Sequence, residues 1–132
     1  MRFPMLQPVT EMTVAALGPR LAPGVEGYLD MFHDDAVFEF PYAPAEPRRV
    51  EGKAAMASYL ATLEGTIVFE RFDLDACHPI EGAGMVMEYR SQARLVATDE
   101  RFEQEYVAVI ETTGGRIGRY REYYNPANLP GA

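Results

Sequence analysis

The chain has 132 residues, 48% of them hydrophobic, enough to bury one core without metal or disulfide staples. Twelve basic against twenty acidic residues leave a net charge of −8, which repels nucleic-acid phosphates and anionic membrane surfaces. Cys77 is the only cysteine, the amino terminus lacks the apolar run of a signal peptide, and no stretch nears the roughly 20 apolar residues of a bilayer span, so one cytoplasmic domain over residues 1–132 is expected.

In chain order, Thr10 is placed to cap a short helix that ends before Gly18-Pro19-Arg20. Pro23 suits the first turn of a second helix, in which Val25, Leu29 and Phe32 form one apolar stripe and His33-Asp34-Asp35 acts as the stop. That contiguous triplet lacks the spaced ligands of a closed metal site and reads as a turn. A short strand follows over "AVFEFPY", with Pro41 forcing an edge or a bend. Pro41, Pro44 and Pro47 recur every three residues and exclude both helix and central strand. They predict an ordered, irregular loop near a pocket mouth, with Tyr42 as an aromatic gate. A third helix is expected from about Gly52 to Glu64, where Met56, Tyr59, Leu60 and Leu63 share a face and Gly65 is a terminator.

The period then changes from that of a helix to that of a strand. Segments near 66–78, 84–97, 101–113 and 116–125 are rich in Val, Ile, Phe, Tyr and Thr, and "EGAG", "TDE" and "TGG" between them are short enough for hairpins. The pattern is α+β, in the order αα-β-α-ββββ: a strongly bent antiparallel sheet packed against N-terminal helices, with a cavity between them. Alternation places Phe102, Gln104, Tyr106, Ala108 and Ile110 on one face, and Tyr120, Glu122 and Tyr124 on one face. In the strand before, Glu88, Arg90, Gln92 and Arg94 share one side and Met85, Met87, Tyr89 and Ala93 the other, and the sequence leaves open which lines the cavity. His78, before Pro79, and Cys77 read as structural residues. No Gly-rich phosphate loop or paired-cysteine motif is present, so no cofactor and no metal are indicated. A bent sheet in so short a chain leaves an outer face, carrying either Val107 and Val109 or the opposite set, that predicts a two-fold homodimer.

"YLDMFHDDAVFEFPYAP", then "VEGKAAMASYL", then "YVAVIETTGGRIGRYREYYNP" resemble the nuclear transport factor 2-like superfamily, and within it the SnoaL-like and ketosteroid isomerase-like proteins. The resemblance implies a cone-shaped fold with a deep apolar pocket and a dimer. Phe40 stands where ketosteroid isomerases carry a general-base aspartate, and Glu39 beside it points to the opposite face. "EYRSQAR" matches the arginine of the epoxide-hydrolase Arg-x-Asp pair at Arg90 but has Gln92 in place of the acid. The last strand is similar to phenazine biosynthesis A/B proteins, which implies that Glu122 faces the pocket. The expected site therefore has Glu122 as the catalytic acid/base, with Tyr42, Phe40, Arg90, Gln92, Gln104, Tyr106, Tyr120 and Tyr124 around an apolar small-molecule ligand. The activity implied is cofactor-independent isomerisation, cyclisation or dehydration of a carbonyl-bearing compound; the alternative is a non-catalytic ligand-binding or assembly module.

Overall fold

The computed structural model describes residues 3–82 and 84–131. A short 3-10 turn, Pro4–Leu6, runs into helix α1, Gln7–Leu17, whose first turn is fixed by Pro8. Thr10 therefore lies inside the helix and not at its cap. Its hydroxyl donates back to the Leu6 carbonyl at 2.7 Å, as that of Thr13 does to Val9, which satisfies both hydroxyls while they are buried.

The expected second helix forms only as a single 3-10 turn, Tyr28–Met31. Gly24 and Gly27 interrupt the segment, and a glycine inside a helix costs about 1 kcal/mol relative to alanine. Asp30 instead captures the backbone amides of Glu26 and Gly27, both at 2.8 Å, and this holds a tight bend in place of a helix. His33-Asp34-Asp35 does not end a helix. It belongs to strand β1, Phe32–Glu39, which begins before the expected Ala36. Helix α2, Lys53–Glu64, has the bounds its apolar face predicts.

The remaining strands are β2 (Arg49–Glu51), β3 (Ile67–Ile80), β4 (Gly84–Leu95), β5 (Arg101–Thr113) and β6 (Arg116–Tyr124). They form one six-stranded sheet in the order β2-β1-β6-β5-β4-β3. The last four make the antiparallel meander that the short separators predict. The sequence did not announce β2, which is only three residues long and pairs antiparallel with β1. β1 runs parallel to β6, which brings Phe38 beside Tyr120 across a long sequence separation.

Two register shifts in β3, between Phe69 and Arg71 and between Leu74 and Ala76, mark bulges that bend the sheet. Both helices pack on its concave side, α1 against β3 and β4, and α2 against β1, β2 and β3. Met85, Met87, Tyr89, Ser91 and Ala93 of β4 are buried on that side. Arg90 and Gln92 consequently lie on the convex side, because successive side chains of a strand alternate. Among the described residues no helix is long and apolar enough to cross a membrane.

Candidate functional site

Strand β6 sends Tyr120, Glu122 and Tyr124 into the hollow of the sheet, where all three line one cavity of about 280 Å³. The pairing register decides what each meets. Tyr120 stands opposite Ile110, Tyr124 opposite Tyr106, and Glu122 opposite Ala108. Ala108 in turn pairs with Met87. The small Ala108 side chain leaves room beside the carboxylate, and the cavity is closed from above by residues such as Val9 of α1 and Tyr59 and Leu63 of α2. Eleven of its nineteen lining residues are aromatic, and Glu122 is the only charged residue among them.

The Tyr89 hydroxyl donates to Glu122 Oε2 at 2.5 Å and lies 2.8 Å from the Tyr120 hydroxyl. A phenol has one proton. Because that of Tyr89 goes to Glu122, the bond between the two tyrosines must run from Tyr120 to Tyr89. The hydroxyl chain is thus directed at the carboxylate, while Glu122 Oε1 makes no hydrogen bond within the described residues.

Burial raises the pKa of Glu122 and the bond from Tyr89 lowers it, with a net rise to about 7. Close to neutral pH the group is therefore divided between acid and carboxylate. Burial, followed by the neighbouring Glu122 charge, pushes Tyr59, Tyr89, Tyr106, Tyr120 and Tyr124 above the ordinary phenol value, so all remain protonated donors. Tyr28 is raised as well, by burial and then by Tyr120 and Glu122. Tyr89→Phe is expected to move the Glu122 pKa above 7, since it removes the bond that holds it down. Carbon-detected NMR of the carboxyl group checks this, and an unchanged midpoint would show that Tyr89 does not support the carboxylate.

Of the residues singled out in the sequence, Phe40, Gln104, Tyr106, Tyr120, Glu122 and Tyr124 meet in this cavity. Gln104 is not free to hold a ligand. Its amide nitrogen donates to the Asn125 carbonyl at 2.9 Å, and its oxygen accepts from the Asn125 amide at 3.1 Å and from Asn128 at 3.4 Å. It latches the carboxy-terminal segment, whose Leu129 reaches the cavity wall. The Tyr106 hydroxyl is bonded to Ser91 Oγ at 2.7 Å, and its ring stacks on Tyr89 with centroids 4.7 Å apart.

Arg90, Gln92 and Tyr42 are placed elsewhere. Arg90 holds Asp75 through Nε and Nη2, each at 2.9 Å, on the convex side, and Gln92 reaches Glu103 at 3.5 Å. Tyr42 is 59% exposed and packs edge-on against Tyr123, also outside, so it does not gate the cavity. The chain leaves β1 at Pro41, and Arg48 folds the loop back by accepting from the Phe40 amide and donating to the Ala43 carbonyl. Glu39 faces out as alternation requires. Arg119, first, and then Arg121 and Arg49 hold its carboxyl below the usual value.

Tyr89 and Tyr59 were not singled out as site residues. The signal for Tyr89 was its position among Met85, Met87 and Ala93, the apolar side of β4 and therefore the one a core would claim. Tyr59 lay in the apolar stripe of α2, where nothing distinguishes a cavity wall from a packed core.

Residues 14–120 match the SnoaL-like domain family. The uncharacterised protein YesE of Bacillus subtilis is 36% identical over 104 residues, 77% of this chain and 71% of that protein. An uncharacterised PhzA/B-like protein of Pseudomonas aeruginosa is 26% identical over 101 residues, 76% of this chain and 72% of that one. A solved Bacillus subtilis structure, provisionally assigned as an isomerase, superposes with a TM-score of 0.76 at 30% identity, covering 95% of this chain and 91% of that chain. Glu122 and Tyr124 lie just beyond the matched domain.

Proposed function

We propose, from the premise that this chain belongs to the SnoaL-like domain family, that it is a cofactor-independent acid/base catalyst, an isomerase, cyclase or dehydratase, acting on an apolar carbonyl-bearing small molecule. The observation that carries this reading is Glu122, a carboxyl group in an aromatic cavity with one oxygen held by Tyr89 and the other open. A group titrating near 7 is suited both to take a proton from carbon and to return it at a second position. Tyr59 and Tyr124 line the same space, and their hydroxyls have no hydrogen-bond partner among the described residues. Either can donate to a substrate carbonyl oxygen as negative charge develops there, while Tyr89 and Tyr120 steady the carboxylate.

On this reading Glu122→Gln leaves a folded protein whose turnover of a true substrate falls roughly 100- to 10,000-fold, the range ascribed to general acid/base catalysis. The wild-type kcat/KM should rise with pH through about 7 where abstraction limits the rate, because only the carboxylate is a base. Steady-state kinetics on a panel of cyclic ketones, with circular dichroism as the folding control, provides the test. Turnover equal to wild type in the variant would overturn the assignment. The alternative of a non-catalytic ligand-binding module draws on Glu122 being the only carboxylate in the cavity among the described residues. It is favoured if the variant binds ligand unchanged and no panel member is turned over by the wild type.

The same reading includes a two-fold homodimer through the convex face, where Val107 and Tyr42 are exposed large apolar residues. Light scattering is expected to give about twice the 14.8 kDa of one chain. A single-chain mass at micromolar concentration would exclude it.

A further inference from the structure

We infer that the ligand of this cavity is an apolar organic cation, a protonated amine or quaternary ammonium, with Glu122 as its counter-charge. The inference rests on the cavity reading above. It narrows the substrate to a compound with a basic nitrogen near the reacting carbonyl, so that the carboxylate facing the cation also faces the carbon from which a proton is taken.

Three observations lead to it. First, Glu122 is half-buried in the cavity without a cation. Six of the arginines are engaged outside the cavity: Arg49, Arg119 and Arg121 surround Glu39, Arg90 holds Asp75, Arg71 holds Asp73 and Arg94 holds Asp99. Among the described residues no arginine or lysine lines the cavity. A desolvated carboxylate with no opposite charge beside it is unfavourable, and a cationic ligand relieves that penalty where a neutral one leaves it and an anion adds to it.

Second, the walls are aromatic. Tyr59, Phe40, Phe72, Tyr106 and Tyr124 stand with other aromatics around the same space, and a cation within about 6 Å of a ring centroid is attracted by the ring quadrupole, more strongly when desolvated. Third, the phenol chain is directed at Glu122 Oε2, so it is ordered to support a carboxylate, with Oε1 left to meet the ligand. The net charge of −8 adds a field that draws cations toward the molecule and turns anions away. A volume of about 280 Å³ lies at the lower edge of ligand pockets, which suits one ring carrying a short amine.

The charge on Glu122 links the affinity to pH. With a carboxyl midpoint near 7, about a tenth is ionised at pH 6 and about nine-tenths at pH 8, so a cation that binds only the ionised form gains about tenfold in affinity over that interval.

The test compares N-methylbenzylamine, benzyl methyl ether and phenylacetate, which have similar sizes and differ in charge, by calorimetry and by NMR shifts of the cavity tyrosines at pH 6 and pH 8. The amine is expected to bind at least tenfold tighter than the ether at pH 8 and to weaken about tenfold at pH 6. The ether should be indifferent to pH, and phenylacetate should not bind. In Glu122→Gln the amine should lose its advantage while the ether still binds. An ether as tight as the amine at pH 8, an amine affinity flat with pH, or a preference for phenylacetate would overturn the cation assignment and leave the cavity reading standing. If none of the three moves the tyrosine resonances, both fall. Failure of the catalytic assignment appears separately, as unchanged turnover in Glu122→Gln.

Discussion

Glu122→Gln is expected to stabilise the protein above pH 7, by about 3 kcal/mol, although it replaces a half-buried hydrogen-bonded side chain. The magnitude follows from a folded pKa of about 7 against an ordinary value of 4.5, at roughly 1.36 kcal/mol for each unit. The sign follows from the protons. Between those two values the unfolded chain has already released the proton that the folded chain keeps, so the unfolded state binds fewer protons and stability falls as pH rises. Above 7 both states are ionised and the full penalty is present. A glutamine amide carries none of it and still offers Tyr89 an oxygen to donate to.

Asp30 and Glu39 act in the opposite sense. Backbone amides, first that of Glu26, lower the Asp30 carboxyl, and Arg119 above all lowers that of Glu39. Their contribution is present above the ordinary carboxylate value and is lost as pH falls through the lowered ones. The wild type should therefore be most stable at about pH 4.5, where the two windows meet. The glutamine variant should stay level from there to pH 8. Urea unfolding from pH 4 to pH 8 gives both curves, and parallel profiles for the two proteins would show that Glu122 is not desolvated in the folded state.

Periodicity made much of the architecture readable before any coordinates. Helix α2 was legible because Met56, Tyr59, Leu60 and Leu63 repeat with the helical turn, and the meander because its separators are too short for anything but hairpins. The 3-10 turn in place of a second helix was not, because Val25, Leu29 and Phe32 do fall on a helical stripe; the decision lay with two glycines and the Asp30 side chain. The parallel pairing of β1 with β6 was invisible for another reason. It joins Phe38 to Tyr120, and no local pattern encodes a contact over that distance.

At the candidate site, strict alternation was enough to group Tyr120, Glu122 and Tyr124, and the register then placed them in the cavity. Arg90 and Gln92 were drawn in by resemblance to a motif, against the polarity of their own strand. Met85, Met87, Tyr89 and Ala93 offered the larger apolar surface, and burial followed it. Gln104 reached the expected wall, but a sequence cannot show that a side chain's donors and acceptors are already engaged by a segment twenty-odd residues away.

Gly84→Ala is expected to be the most damaging small substitution on the sheet. Gly84 opens β4 at φ +152°, and a Cβ built on it would lie 1.9 Å from the Ile110 carbonyl oxygen and 3.1 Å from the Glu111 Cα. Both obstacles are backbone atoms of the neighbouring strand, so no side chain can rotate aside; the strands must separate or slip. Gly84 pairs with Glu111 and leads directly into Met85, Met87 and Tyr89, so a displacement there travels along the strand that carries the hydrogen bond to Glu122. A loss of about 3 to 5 kcal/mol is expected, at the upper end for single substitutions. Gly114→Ala is the control, because that glycine also has positive φ, +59°, but nothing lies within 4 Å of the added carbon, leaving only backbone strain of roughly 1 to 2 kcal/mol. Denaturant unfolding measures both. If Gly84→Ala costs no more than Gly114→Ala, the close approach of β4 to β5 at this position is relieved in solution. If it costs several times more, the midpoint of Glu122 in any folded remainder should also shift, because Tyr89 would have moved with the strand.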